Sequence, residues 1–85
     1  MTYGIYVIRD AKTTFMLPTV DFNTASAMRN FEHTVRHPDS LMKSHPNDFG
    51  LYRVGSFDNE TGEIMPEFPP QFICDATVCL RKEDE

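Results

Sequence analysis

Apolar and polar positions alternate through residues 2–10, TYGIYVIRD, with Tyr3, Ile5 and Val7 on one side and Tyr6 and Ile8 on the other. A period of two with β-branched and aromatic residues on both sides predicts an interior strand, or one with a partner on each face. Asp10–Lys12 reads as a turn, and TTFMLP then resumes an extended run with Phe15 and Leu17 on one side. Pro18 ends regular pairing there or marks a sheet edge. The two runs predict a first hairpin.

The period then changes. Thr24, Met28, Phe31 and Val35 recur at i, i+4, i+7 and i+11, and with Ala27 they form one apolar stripe. That spacing predicts a helix from about Thr24 to Arg36 lying with its stripe on the sheet. Asn23 supplies an N-cap, with Phe22 before it as a staple residue, and Pro38 forbids continuation beyond His37. HPDSLMKSHPND reads as loop, with a single helical turn at Ser40–Lys43 capped by Asp39 or Ser40.

FGLYRVGSF is extended again, with Leu51 and Phe57 on one face and Tyr52 and Val54 on the other. DNETG comes next as a hairpin loop in which Gly62 is free to take positive φ, and its polar residues are accounted for by turn chemistry. EIMPE is a short fourth strand that Pro66 cuts. QFICD is a candidate fifth strand after the Pro69-Pro70 pair, and ATVCL is a strand or a short terminal turn. The sum is an α+β domain, ββαββ, with one helix packed on a small antiparallel sheet and a fifth C-terminal strand left open.

Length adds that this is one domain, residues 1–80, with 81–85 (RKEDE) a charged, flexible tail. A chain of 85 residues buries only ~60–65% of its unfolded surface, so its margin of stability is thin. Seven Phe and three Tyr nevertheless supply large apolar areas. The formal charge of −5 disfavours a genome-condensing role, because non-specific nucleic-acid binders carry an excess of Lys and Arg. The N-terminus lacks a basic n-region and a long apolar run, and no stretch approaches the ~20 apolar residues of a membrane helix. The expectation is a soluble intracellular protein.

Candidate chemistry is sparse. Cys74 and Cys79 are spaced C-x₄-C, neither a zinc knuckle nor a redox C-x-x-C, and read as reduced thiols filling a core. His33 and His37 share a helical face, and His45 lies a short way beyond. Yet His37 sits at a helix end before Pro38 and no H-E-x-x-H is present, so surface histidines near a helix C-terminus are the reading. The carboxylates are scattered through turns and tail, and no serine or cysteine lies in a nucleophile motif. The chain is expected to be no enzyme, with no catalytic, cofactor-binding or metal residues and no cofactor. What stands out is a candidate interaction face. Arg29, His33 and Arg36 form the best basic face of the helix, and Tyr52 and Arg53 are neighbours on one strand.

Two stretches carry a family resemblance. DFNTASAMRNF, through Asn23, Ala25, Ala27, Arg29, Asn30 and Phe31, resembles the helix start of the small non-structural proteins of gokushoviruses, single-stranded DNA microviruses of bacteria. HPNDFGLYRVGSFDNETGEI resembles the second block of that family at Pro46, Asp48, Phe49, Leu51, Tyr52, Gly55, Phe57, Asp58, Thr61 and Gly62. The opening hairpin is similar more loosely, and the likeness spans about residues 3–65. It implies a phage protein of the host cytoplasm that acts by protein interactions in viral single-stranded DNA synthesis and packaging. The partners it implies are viral replication or procapsid proteins. The alternative is a direct single-stranded DNA binder using aromatic and basic surface residues, Tyr52 beside Arg53 with Tyr3 and Tyr6 as exposed candidates, with weak DNA contact.

A homodimer is a further expectation. One helix covers one face of such a sheet, and the other would carry Tyr6, Ile8, Tyr52 and Val54, an apolar patch too large to leave in water. A second copy, by sheet-face or edge-strand pairing, would cover it; a C-terminal segment folded back is the other solution.

Overall fold

The structure, a computed structural model, describes residues 1–81. Its strands are β1 (Thr2–Asp10), β2 (Thr19–Asp21), β3 (Phe49–Asp58) and β4 (Ile64–Asp75), in the spatial order β2-β1-β3-β4 and all antiparallel. Its helices are α1 (Thr24–Arg36), α2 (Leu41–Ser44) and α3 (Ala76–Arg81), with a 3₁₀ turn at Pro46–Asp48. This is the α+β architecture of one main helix on an antiparallel sheet, with the short α3 beside α1. Residues 82–85 of the expected tail lie outside the described residues.

Helix α1 forms where its stripe and cap place it. Asn23 Oδ1 accepts from the Ser26 amide at 2.8 Å, satisfying one of the open N–H groups of the first turn. Ala27, Phe31 and Val35 are buried, while Met28 is exposed at the rim of the stripe. Burying Phe31 alone is worth ~2–3 kcal/mol. Thr24 is half-buried, and its hydroxyl hydrogen-bonds the Tyr6 hydroxyl at 2.9 Å. Phe22 meets Tyr3 edge-on, with centroids 5.5 Å apart, in place of the expected staple. Ser40, the expected cap, accepts from the Met42 amide at 3.1 Å and starts α2.

The core joins Tyr6, Ala27, Phe31, Val35, Met42, Phe49, Leu51, Cys74, Ala76 and Cys79, with Ile8 packed against it. This reverses one expectation. Tyr6 and Ile8 face the helices, so Tyr3, Ile5 and Val7 face the open side of the sheet. Tyr6 lies across Gly4, two residues back on the same face, and a Cβ at Gly4 would fall on its ring. The Tyr6 hydroxyl thereby reaches Thr24 at the start of α1.

The second reversal comes from a bulge. β1 and β3 pair as Ile5↔Gly55 and Tyr6↔Arg53, so Val54 is an extra residue in β3. One inserted residue shifts the alternation beyond it. Leu51 is therefore in the core while Phe57, paired with Tyr3, faces the open side.

Two boundaries also differ. TTFMLP is not a strand: Met16 donates to the Ile8 carbonyl at 2.8 Å and Phe15 makes one bridge to Arg9, then Leu17-Pro18 breaks the pairing. The edge strand β2 begins after it. Pro66 does not cut β4, because an edge strand keeps a proline where no ladder N–H is needed. The strand runs on to Asp75 through an irregularity at residues 67–70, between Pro66↔Gly55 and Gln71↔Arg53. QFICD is thus the second half of β4, not a fifth strand, and ATVCL is α3, drawn into helix by the burial of Ala76 and Cys79 against the core. The DNETG loop behaves as its composition predicts: Gly62 has φ 82°, its amide donates to the Asp58 carbonyl at 2.7 Å, and Asp58 Oδ1 accepts from the Glu60 amide at 2.9 Å.

The Tyr6 ring over Gly4 is testable. Gly4→Ala forces a methyl into that ring and should cost ~1–3 kcal/mol in urea denaturation. A variant as stable as the parent would show that the ring does not lie there.

Candidate functional site

The five residues of the expected interaction face do not form one surface. Arg29 and His33 are exposed on α1. Arg36 is tied into the helical layer: its Nε donates to the Cys79 carbonyl of α3 at 3.0 Å, and its guanidinium lies 3.4 Å from Glu32 one turn back. Tyr52 is on the opposite side of the sheet. Arg53 is engaged by Glu67, 3.1 Å from its Nε. Tyr52 and Arg53 are neighbours in sequence, but successive strand residues point to opposite faces.

The open side carries a denser arrangement. The Tyr52 ring is flanked edge-on by Phe15 at 5.8 Å and by Phe72 at 5.5 Å. Phe72 is the register partner of Tyr52, and Phe15 reaches it from the loop after β1. The Arg9 guanidinium sits over Phe15, 5.9 Å from the ring centroid, within cation–π range. Arg9, Phe15, Tyr52 and Phe72 thus form a continuous row across four segments, β1, the loop after it, β3 and β4. Beside it lies a shallow apolar groove lined by Val7, Phe15, Met16, Pro18, Val54 and Pro70. The irregular stretch of β4 leaves Phe68 91% exposed.

Arg9, Phe15 and Phe72 were missed because their meeting depends on register. The available signal was weak: an exposed aromatic in the alternating segment Gln71-Phe72-Ile73, opposite a tyrosine whose partner only the fold identifies.

Electrostatics elsewhere serve the scaffold. Asp21, at the end of β2, accepts from the Ser26 hydroxyl at 2.6 Å, from Asn30 Nδ2 at 2.7 Å and from the Phe22 amide at 2.9 Å. The Ser26 hydroxyl above all, then Asn30, Phe22 and the nearby Arg29 charge, hold its carboxyl below the ordinary value against a smaller opposing effect of burial. His37 Nδ1 accepts from the Asp39 amide at 3.1 Å and His45 Nδ1 shares a hydrogen bond with Ser44 Oγ at 2.8 Å. Among the described residues no group of three or more His, Cys, Asp or Glu is placed to hold a metal ion. No helix among them is long and apolar enough to cross a membrane. Cys74 and Cys79 are buried core thiols, and burial first, then the neighbouring Cys79 and Asp75, pushes the Cys74 thiol up to about 11.

The fold and this row define a class: a small α+β domain whose sheet is covered on one face and presents aromatic and apolar residues on the other. The chain belongs to the Phage ORF5 protein family, whose profile matches residues 3–79 and so nearly the whole of the described structure. No curated protein and no solved structure matches the chain.

The Cys74 environment carries a sign. A thiol whose pKa is raised on folding stabilises the native state below its ordinary value of 9.0, and that contribution is lost as pH climbs from 9.0 towards about 11. At neutral pH the folded chain should therefore leave Cys74 unalkylated by iodoacetamide, with reaction appearing only on unfolding. Mass spectrometry showing rapid modification of the native protein would contradict this placement.

Proposed function

We propose that the chain is a small non-enzymatic interaction module acting in the single-stranded DNA synthesis and packaging of a gokushovirus-type phage, within the host cytoplasm. Its partners in this reading are viral replication or procapsid proteins. The observation that carries it is the Arg9–Phe15–Tyr52–Phe72 row, set on a sheet face that the helices leave uncovered in a chain of a phage family. Aromatic side chains with one arginine are the composition of protein-binding hot spots. The adjoining groove supplies further apolar surface beside it. The resemblance of DFNTASAMRNF and of the Pro46–Gly62 block to gokushovirus non-structural proteins supports the viral setting.

A second reading uses the same row. Stacked aromatics beside a cation suit single-stranded DNA, whose bases stack on rings at ~1–3 kcal/mol each. The formal charge of −5 weighs against it, since phosphate neutralisation supplies most of such affinity.

Phe15→Ala and Phe72→Ala change exposed members of the row and should leave the fold intact by circular dichroism. A tagged chain should recover a viral replication or procapsid protein from phage-producing cells, and these variants should lose it. Recovery of neither class, or equal recovery by the variants, contradicts the first reading. Binding of a single-stranded oligonucleotide that weakens steeply with salt would favour the second.

A further inference from the structure

The other half of the open face has a different character. Antiparallel register aligns Val20 with Ile5, Tyr3 with Phe57, and Phe57 with Ile64. Residues paired across strands share a face. Val20, Ile5, Tyr3, Phe57 and Ile64 therefore cross the sheet from one edge to the other, with Phe22 packed on Tyr3 at the β2 end. No charged residue interrupts this row. Val20 is 52% exposed and Ile64 63% exposed, although both are strand residues of good β propensity.

We propose that this row is the interface of a homodimer, covered by the same row of a second copy packed face to face about a two-fold axis. Several observations select that occupant. An apolar, uncharged surface is self-complementary under a two-fold, whereas nucleic acid would ask for cations that the row lacks. Among the described residues the C-terminal segment does not cover it, because Ala76 and Cys79 place α3 in the core on the helix side. Edge pairing is blunted: β2 has three residues, and β4 carries Pro66, Pro69 and Pro70, which cannot donate ladder hydrogen bonds. Stacking through the face remains. With four strands at ~4.8 Å and about half the length of the longer strands, the row covers roughly 19 by 15 Å, the small contact of a weak, reversible pair. The Arg9–Phe15–Tyr52–Phe72 row lies towards the far end of the same face, so this pairing is separate from the partner binding proposed above.

Sedimentation equilibrium of the full chain at tens of micromolar tests it. The expected mass is twice 9.8 kDa. Val20→Asp and Ile64→Asp alter side chains that are exposed in the single chain, so each should keep the parent circular dichroism spectrum. Each should weaken dimerisation by about tenfold or more. Phe68→Asp, outside the row, should leave it unchanged and serves as the control. A parent chain of 9.8 kDa under these conditions overturns the proposal, as does a dimer indifferent to both row substitutions. A monomer that gains mass only when a single-stranded oligonucleotide is added would assign the face to nucleic acid instead.

Discussion

One extra residue in β3 decides which side chains of this sheet meet the helices. Before Val54, Leu51 faces α1 and Tyr52 faces outward; after it, Ser56 pairs with Gly4 on the helix side and Phe57 with Tyr3 on the open side. With strict alternation the strand could satisfy only one end. If Leu51 faced the core, Phe57 would be driven against Gly4 and the Tyr6 ring that lies over it. The bulge lets β1 keep a regular alternation, with Tyr6 and Ile8 inward, while β3 changes parity half way along. A bulge also bends a strand and strengthens its twist. The irregular stretch of β4 lies opposite the same point, between the pairs Arg53↔Gln71 and Gly55↔Pro66, so both strands depart from regularity together.

The parity change divides labour between the two faces. The helix side holds the main buried cluster, closed by Tyr6–Thr24 at the start of α1 and by Arg36–Cys79 where α1 meets α3, while Val7 is buried on the open side. Such a core is small, and a chain of this length has little stability to spare. The open side nevertheless holds Tyr3, Ile5, Val7, Tyr52, Phe57 and Phe72. Two ends of that face differ in chemistry, one apolar throughout and one aromatic with an arginine. That difference lets the proposed self-association surface and the proposed partner surface share one sheet.

Much of this was legible in the sequence, and the rest was hidden for physical reasons. Helix α1 was legible with its ends because Asn23, the Ala27–Phe31–Val35 stripe and Pro38 all agree. The DNETG turn was legible because Gly62 and Asp58 have strong local preferences that the fold does not override. The bulge was not, since Val54 is as good a strand residue as its neighbours and nothing local marks it as extra. Pro66 and the Pro69-Pro70 pair read as breaks because the sequence does not say that β4 is an edge. In ATVCL, Thr77 and Val78 favour a strand, and burial of Ala76 and Cys79 outweighs them. Of the candidate site, Tyr52 was legible as an aromatic on a strand. Its partners Phe15 and Phe72 depend on register, and Arg36 and Arg53 proved to be engaged within the fold.

The most direct test removes the bulge itself. Deleting Val54 takes out the extra residue and leaves Tyr6↔Arg53, Ile5↔Gly55, Gly4↔Ser56 and Tyr3↔Phe57 in register, so Leu51 stays inward and Phe57 outward. Urea denaturation monitored by circular dichroism should find the deletion folded, with a cooperative transition about 1–3 kcal/mol below the parent, and Val54→Ala lower by only about 1 kcal/mol. In a strand of strict alternation with Leu51 and Phe57 on one face, the same deletion would turn one end inside out, so an unfolded deletion variant would contradict the parity change on which the assignment of both faces rests.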